Sequence, residues 1–272
     1  MSPSIGIFDS GVGGVSVLRA IRKLMPDLPV IYLADQAHVP YGPRSLEQVR
    51  DFSAEISRFL LANGAKLVVV ACNTASAAAL HYLRKEFPGI PFVGMEPAVK
   101  PAAERTQTKK VGVLATPATF QGELYTSVVE RYANEITVMQ DTCKGLVDEI
   151  EAGRLDGMRT RQILDSALGP MIQQGIDTVV LGCTHYPLVI PLIEEIVGPQ
   201  ITVIDPALAV GRQVERLART HGLENQDELM GFCRLLTTGN AEIFYEIIPK
   251  LMDEEFQPDV EALTWQDGVL IF

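Results

Sequence analysis

The sequence lacks the cysteine spacing of a metal site or of a disulfide framework. Its four cysteines, Cys72, Cys143, Cys183 and Cys233, lie far apart in the chain and form no CxxC pair. That spacing excludes a zinc ribbon, and a length of 272 residues argues against a small secreted scaffold held by disulfides. We therefore expect four reduced thiols in a reducing compartment.

The sequence also has little positive charge and no long apolar run. Its 23 Lys and Arg residues stand against 34 Asp and Glu residues, which gives a formal net charge of −11. With no Lys/Arg cluster, nucleic acid and anionic membrane surfaces are poor partners. No apolar stretch reaches the roughly 18 residues that span a bilayer, and the first residues lack the basic segment of a secretory signal. We expect a cytoplasmic protein that acts on a small molecule.

Short apolar runs alternate with amphipathic stretches along the chain. Between the runs, residues such as Val15, Leu18 and Ile21 fall on one face of a helix. Near-continuous apolar strands separated by helices predict mostly parallel sheets with helices on both faces, a three-layer α/β/α arrangement. The predicted strands are residues 4–9, 30–35, 66–72, 90–94, 110–116, 136–141, 178–183, 201–205 and 231–238.

The second half of the chain resembles a copy of the first. The repeated landmarks are the strands that begin at Ile5 and Val111 (106 residues apart), the acidic-Pro-Ala segments at 96 and 205 (109 apart), and the strand-end cysteines Cys72 and Cys183 (111 apart). Nearly constant separations predict two similar lobes related by pseudo-symmetry, with equivalent strand ends facing a shared cleft. The first lobe is predicted to comprise residues 1–97 and 207–272, and the second residues 98–206.

Polar loops follow four of the predicted strands, where open α/β sheets place their ligands. They are DSGVGG at 9–14, CNTAS at 72–76, TPAT at 116–119 and CTHYP at 183–187. Each precedes a predicted helix, whose N-terminal amides can bind a carboxylate without Lys or Arg. The glycines at 11–14 lack both the Lys-Ser/Thr ending of a P-loop and the GxGxxG spacing of a dinucleotide site, which argues against nucleotide binding.

Cys72 and Cys183 are the strongest indication of chemical function in the sequence. Each alone also fits a buried structural cysteine, but their equivalent positions before predicted helix starts favour a chemical role. A helix N-terminus is expected to lower the pKa of a thiol from about 8.5, because it stabilises the thiolate. Two thiols across a cleft suit a reaction that removes a proton from one face of a carbon and returns one to the other. We interpret Cys143 and Cys233 as structural.

Five segments resemble the signature blocks of glutamate racemases, within the wider family of cofactor-free aspartate and glutamate racemases and isomerases. They are DSGVGG at 9–14, PYGPRS at 40–45, ACNTASA at 71–77, TPAT at 116–119 and GCTHYP at 182–187. The resemblance spans about residues 5 to 206. It implies a homodimeric enzyme without cofactor or metal that interconverts L- and D-glutamate and supplies D-glutamate for peptidoglycan synthesis.

The resemblance also implies roles for individual residues. Cys72, assisted by Asp9, corresponds to the base that takes the α-proton of D-glutamate. Cys183, assisted by His185, corresponds to the base for L-glutamate. Glu151 is the nearest match to a family glutamate, in a segment that departs from the usual pattern. The residues implied to hold the substrate are Ser10, Pro40, Tyr41, Gly42, Asn73, Thr74, Thr116, Thr119 and Thr184.

Two alternatives stay open from the sequence. One is a racemase or isomerase of aspartate, hydantoins or maleate, and the other is a two-lobed protein that binds a dicarboxylate without turnover. Paired cysteines favour an enzyme, because binding a dicarboxylate requires no thiols. No lysine lies in the candidate loops to form a Schiff base, so a carbanion would depend on amides, hydroxyls and exclusion of water.

Overall fold

Two parallel β-sheets flanked by helices form the framework of the protein, as predicted. The computed structural model describes residues 3–133, 135–223, 231–252 and 259–272. Within these ranges the strands, numbered in chain order, are β1 (Ser4–Asp9), β2 (Val30–Ala34), β3 (Ala65–Val70), β4 (Phe92–Val93), β5 (Lys110–Ala115), β6 (Thr137–Asp141), β7 (Thr178–Gly182), β8 (Thr202–Ile204), β9 (Cys233–Thr237), β10 (Asp259–Ala262), β11 (Thr264–Gln266) and β12 (Val269–Ile271).

The two sheets repeat the same strand order. The larger sheet has the order β10-β9-β2-β1-β3-β4 and the smaller has β6-β5-β7-β8, and all neighbouring strands are parallel. The β2-β1-β3-β4 part of the larger sheet therefore matches the whole of the smaller one. This repetition agrees with the duplication inferred from the sequence, and it puts the ends of β3 and β7 in equivalent positions. The division of the chain near residues 97 and 207 stays a proposal, which the membership of the sheets supports.

Helices connect the strands and cover the sheets. Ser45 begins the second helix with a capping box, in which its hydroxyl accepts from the amide of Gln48 and its amide donates to the Gln48 side chain. That helix is capped at its C-terminus by Asn63, and Gly64 follows with a φ of 98°, a left-handed conformation that glycine adopts readily after a helix. In the ranges described, no helix is both long and apolar enough to cross a membrane. The helices are α1 (Val15–Leu24), α2 (Leu46–Ala62), α3 (Asn73–Glu86), α4 (Val99–Arg105), α5 (Pro117–Gln121), α6 (Glu123–Tyr132), α7 (Leu146–Glu151), α8 (Met158–Gln173), α9 (Ile190–Val197), α10 (Ala207–Thr220) and α11 (Ala241–Leu251).

Both faces of the central strands are buried, as expected of parallel sheets covered by helices. Along β1, Ile5 and Ile7 pack into an apolar core that also contains Leu114 and Leu181 of the smaller sheet. Phe8 packs into a second core on the opposite face. This alternation follows from the two-residue period of a strand. The first core is continuous between the sheets, so it fixes the strand ends of one sheet relative to those of the other.

The C-terminal part of the chain returns to the larger sheet. Strand β9 pairs with β2, so the predicted strand at 231–238 joins the first sheet. Two features were not predicted: β10 extends the sheet beyond β9, and β11 and β12 form an antiparallel hairpin. Buried Leu263 and Leu270 pack this part of the chain into the second core. The predicted strand at 90–94 is shorter than expected, because β4 comprises only Phe92–Val93.

Candidate active site

The carboxyl ends of β1, β3, β5 and β7 meet around one cavity between the two sheets. Open α/β sheets bind ligands at this kind of place. Three of the predicted site residues, Asp9, Thr119 and Glu151, lie behind the cavity lining and hydrogen-bond to it. The other eleven line the cavity together with Val147: Ser10, Pro40, Tyr41, Gly42, Cys72, Asn73, Thr74, Thr116, Cys183, Thr184 and His185.

The Cys72 thiol lies at the N-terminus of α3, in the capping position before Asn73. The amide of Ala75 donates to its sulfur at 3.5 Å. Burial and the nearby charge of Asp9 nevertheless raise the pKa of Cys72 well above its usual value, and the amide contact offsets only part of that rise. The expected lowering of this pKa is therefore wrong, because the sequence indicates the helix end but not the burial. In this site Cys72 carries its proton at neutral pH.

Asp9 ends β1 and is completely buried. Its Oδ2 accepts hydrogen bonds from the amide of Gly14 at 2.8 Å and from that of Gly11 at 3.3 Å, so it caps the loop that leads into α1. Its Oδ1 accepts from the hydroxyl of Thr184, on the side of the smaller sheet, at 3.3 Å. Burial raises the pKa of Asp9, although the charge of His185 and the Gly14 amide oppose the rise. Asp9 is thus both a structural cap and a titratable group between the sheets.

Cys183 lies against a buried imidazole. His185 Nδ1 is 3.8 Å from the Cys183 sulfur, and His185 Nε2 is 2.5 Å from Oε1 of Glu151. Burial opposes a charge on His185, but the hydrogen bonds to Cys183 and Glu151 outweigh it and raise the pKa of His185 well above its usual value. Burial would also raise the pKa of Glu151, and the contact with His185 lowers it instead. The two side chains form a buried ion pair behind Cys183.

Glu151 also connects the two sheets. Its carboxylate accepts from the amide of Val12 at 2.7 Å and from the side-chain amide of Gln36 at 2.9 Å. Both donors follow strands of the larger sheet, whereas Glu151 ends α7 beside the smaller one. The structure thus places Glu151, for which the sequence offered only a nearest match, within hydrogen-bond distance of His185.

We expect the Glu151→Gln substitution to destabilise the protein by about 1.5–3 kcal/mol near pH 6, the range for a hydrogen bond to a charged group. Because the pKa of His185 is raised, its charged form stabilises the fold fully below about pH 6.5 and progressively less as the pH rises through the raised value. Because the pKa of Glu151 is lowered, its contribution is present above about pH 4.5 and is lost as the pH falls through the lowered value. The destabilisation should therefore be greatest between these limits.

Urea unfolding over a series of pH values measures this dependence. The control is Asp148→Asn, an exposed position on the same helix, which should change the free energy of unfolding by less than about 0.5 kcal/mol at every pH. If Glu151→Gln destabilised the protein equally at mildly acidic and strongly alkaline pH, the ion pair with His185 would be contradicted.

The glycines of the 9–14 loop allow close approach to the smaller sheet. A Cβ added at Gly11 would lie 1.9 Å from Oε1 of Glu151. A Cβ added at Gly13 would lie 2.4 Å from Nδ1 and 2.7 Å from the backbone nitrogen of His185. A side chain at Gly11 would displace the Glu151 carboxylate, and one at Gly13 would collide with the backbone of His185. The glycine run therefore lets the loop after β1 contact the His185–Glu151 pair directly.

Hydroxyl and amide side chains complete the cavity. The Thr74 hydroxyl lies 2.8 Å from that of Thr116 on the opposite sheet, and the Thr116 hydroxyl lies 2.9 Å from that of Thr119. Asn73 is buried, and neither polar atom of its side chain has a hydrogen-bond partner among the described residues. An unpaired buried amide is costly, so both polar atoms of the Asn73 side chain are free to hydrogen-bond to a group in the cavity.

One of the four predicted transitions from loop to helix differs from expectation. The loop after β7 enters a 3-10 turn, Tyr186–Val189, and α9 begins only at Ile190. The loop after β5 opens α5, which has only 5 residues. The two cysteine loops therefore differ. A long helix begins directly after Cys72, whereas Cys183 is followed by no such helix and has the imidazole of His185 beside it.

Two residues near the cavity were missed by the sequence analysis. Val147 lines the cavity from α7, and an apolar residue on a short helix carries no local signal of such a position. Asp35 follows β2 and accepts a hydrogen bond from the hydroxyl of Tyr41 at 2.6 Å. Its place after a buried strand resembles that of Asp9 at the end of β1, and this pattern is the signal that could have identified it.

The fold and the cavity define a class of protein. It has two thiols at equivalent strand ends of two parallel sheets, one near a buried carboxyl group and the other beside a buried imidazole–carboxylate pair. In the described ranges, no three His, Cys, Asp or Glu side chains are grouped so that they could hold a metal ion. The class is therefore that of an α/β protein with a small cavity at the carboxyl ends of its parallel strands, lined by one thiol from each sheet.

Comparison with known proteins gives the family. The chain matches the model of the Asp/Glu/Hydantoin racemase family over residues 10–214. It is 50% identical over 248 residues to a glutamate racemase from Roseiflexus sp., with 91% of each chain covered. Among solved structures it is similar to a glutamate racemase isoform from Bacillus anthracis, with a TM-score of 0.84, 32% identity and 98% of each chain covered.

A further similar structure is the glutamate racemase from Francisella tularensis, solved in complex with D-glutamate. It has a TM-score of 0.83 and 28% identity, and the match covers 97% of this chain and 98% of that one. The chain described here belongs to the Asp/Glu/Hydantoin racemase family. It is an amino-acid racemase, an isomerase, as the resemblance in the sequence implied.

Proposed function

We propose that this racemase interconverts L- and D-glutamate by moving protons between its α-carbon and the thiols of Cys72 and Cys183. The observation that carries the proposal is the placement of the two cysteines at equivalent strand ends of one cavity, each with a titratable partner. The identity of the relatives supports glutamate as the substrate, since the Roseiflexus relative is a glutamate racemase and the Francisella structure contains D-glutamate.

The two thiols have different surroundings. These differences suggest which thiol is the acid and which is the base in the free enzyme, and therefore which enantiomer it deprotonates. The raised pKa of Cys72 keeps a proton on that sulfur, so Cys72 is the acid. The cationic imidazole of His185, 3.8 Å from the Cys183 sulfur, stabilises negative charge there, so Cys183 is the base. This form accepts the α-proton of L-glutamate at Cys183 and donates a proton from Cys72 to the opposite face.

The proton balance then requires a second enzyme form. After one turnover Cys183 carries the proton taken from L-glutamate, and Cys72 is a thiolate. That form is prepared for D-glutamate, whose α-proton is taken by Cys72 while Cys183 donates one. Exchange of protons between the thiols and solvent restores the first form. Asp9 and His185 assist these steps by stabilising the proton and the charge near each sulfur.

The substrate and the carbanion are held by neutral donors in this proposal. The hydroxyls of Thr74, Thr116 and Thr119 form a cluster that can donate to a carboxylate. The unpaired amide of Asn73 and the N-terminus of α3 add further donors. Ser10, Pro40, Tyr41, Gly42 and Thr184 complete the proposed set of substrate-binding residues.

The test is racemisation of L-glutamate by purified protein dialysed against a chelator, without added cofactor. We expect optical rotation to decay to zero with L-glutamate and to change far more slowly with L-aspartate. The double variant Cys72→Ser/Cys183→Ser is the control, because it keeps the cavity but removes both thiols. Turnover of aspartate alone would contradict the assignment of glutamate. Binding of glutamate without racemisation would favour the dicarboxylate-binding alternative.

We further propose that the D-glutamate made by this enzyme enters peptidoglycan synthesis in the cytoplasm, and that the enzyme acts as a homodimer. The resemblance to glutamate racemases supports both statements. Cells depleted of the enzyme should regain growth and cell shape when D-glutamate is supplied. Sedimentation equilibrium should give about twice the mass of one chain.

A further inference from the structure

Asp35 is a completely buried carboxyl group that does not line the cavity. Its Oδ2 accepts from the hydroxyl of Tyr41 at 2.6 Å and lies 2.8 Å from Nδ1 of His38. Its Oδ1 accepts from the hydroxyl of Thr238 at 2.8 Å and from the indole nitrogen of Trp265 at 2.7 Å. One carboxyl group thus joins four side chains from three parts of the chain.

The Tyr41 side of this network reaches the cavity. Tyr41 is buried and lies in a loop between Pro40 and Gly42. All three of these residues line the cavity. Gly42 also packs against the smaller sheet, since a Cβ added there would lie 3.0 Å from Cβ of Thr116. The hydrogen bond to Asp35 therefore fixes a loop that closes one side of the proposed substrate site.

The Trp265 side of the network belongs to the hairpin formed by β11 and β12. The Trp265 ring lies 5.7 Å from that of Phe52 and 5.0 Å from that of His38, and these two rings stack on each other at 3.9 Å. Buried Leu263 and Leu270 anchor this part of the chain in the core. The hairpin thus presents the indole N–H to Asp35 from a fixed position.

We propose that Trp265 is a positioning residue, which acts through Asp35 to hold the Pro40–Gly42 loop in the geometry that binds substrate. The C-terminal hairpin is then part of the machinery that sets substrate affinity, although it lies outside the cavity lining. Burial and the neighbouring Asp35 raise the pKa of Tyr41 well above its usual value, so its hydroxyl remains a donor throughout the working pH range. The inference rests on the proposed function, because it assigns the loop a role in binding glutamate.

The Trp265→Phe substitution tests this inference in steady-state kinetics. Phenylalanine keeps an aromatic ring beside Phe52 and His38 but removes the donor to Asp35. We expect KM to rise about tenfold for both enantiomers, the factor that one such hydrogen bond commonly carries, while kcat changes by less than about twofold. The split follows because the loop holds the substrate and moves no proton. An unchanged KM, with or without a fall in kcat, would overturn the inference.

Hydrogen exchange without substrate gives a second readout that does not depend on turnover. In Trp265→Phe, amides of residues 36–44 should exchange faster than in the wild-type protein, while those of β1 and β3 should not change. The matched control is Val269→Ala, at a half-exposed position on the same hairpin, which should alter neither region. Unchanged exchange over 36–44 would overturn the coupling, even in an enzyme that racemises glutamate.

The two readouts also separate the inference from the proposed function. If the wild-type protein failed to racemise glutamate, the proposed function would fail, and hydrogen exchange would still decide whether Trp265 orders the loop. Trp265 is the one tryptophan in the sequence, so its fluorescence reports this site alone. We expect saturating glutamate to shift its emission in the wild-type protein, and no shift would contradict coupling between the loop and the hairpin.

Discussion

Replacing either Cys72 or Cys183 with serine is expected to lower kcat for racemisation by about 10²–10⁴-fold in both directions, the contribution typical of a positioned acid or base. Both thiols are needed for each turnover, because one removes the α-proton and the other supplies its replacement. Serine has nearly the same shape as cysteine, but its hydroxyl is a much weaker acid. KM should change little, because the proposed substrate donors stay in place.

The two variants should differ in the partial reaction that each retains. Cys72→Ser keeps the base for L-glutamate and should still exchange its α-proton with deuterium from solvent, without forming the D-enantiomer. Cys183→Ser should show the same exchange with D-glutamate. Proton NMR of each enantiomer in D₂O measures the exchange. Cys233→Ser is the control and should be fully active, since Cys233 lies on β9, outside the cavity lining. Racemisation by either active-site variant within about twofold of the wild type would contradict the two-thiol mechanism.

Replacing Gly13 with alanine is expected to lower kcat/KM by at least about 100-fold, the loss that a misplacement of about 1 Å can cause. The added Cβ would lie 2.7 Å from the backbone nitrogen of His185, and backbone cannot rotate away as a side chain can. The loop after β1 and the segment after β7 would have to separate. Cys72 follows a strand of the larger sheet and Cys183 follows a strand of the smaller one, so the distance between the thiols would change.

The control for this substitution is Gly169→Ala. Gly169 lies inside α8, and a Cβ added there would meet no atom within 4 Å other than those of its own helix and its chain neighbours. We expect full activity, because Gly169 lies outside the cavity lining. If Gly13→Ala kept activity within about twofold of the wild type, the contact between Gly13 and His185 would have no catalytic importance.

Much of the fold could be predicted because parallel strands carry a strong sequence signal. Strands β1, β3, β5 and β7 are nearly continuous apolar runs, and each leads to a polar residue or a cysteine at its end or within the next two positions. Since parallel strand ends meet at one edge of a sheet, residues as distant as Cys72 and Cys183 could be expected to share a cavity. Their equivalent positions in two repeated units strengthened that expectation.

The parts that could not be predicted depend on tertiary contacts. Strands β11 and β12 have 3 residues each, and so short a run gives no reliable period. Trp265 and Asp35 are hydrogen-bond partners that lie 230 positions apart in sequence, and no local pattern connects them. The prediction that the pKa of Cys72 is lowered was wrong for a related reason. A helix start can be read from sequence, whereas complete burial beside Asp9 depends on how the sheets pack.

The most direct test of the central claim follows where deuterium enters glutamate when the wild-type enzyme acts on L-glutamate in D₂O. Early in the reaction, we expect the D-glutamate formed to carry deuterium at the α-carbon, while the remaining L-glutamate keeps its original proton. This result follows because Cys183 removes the proton and Cys72, already exchanged with solvent, supplies deuterium to the opposite face. D-glutamate that retains the original proton, or L-glutamate that gains deuterium as fast as D-glutamate is formed, would show that a single base serves both faces and would contradict the account.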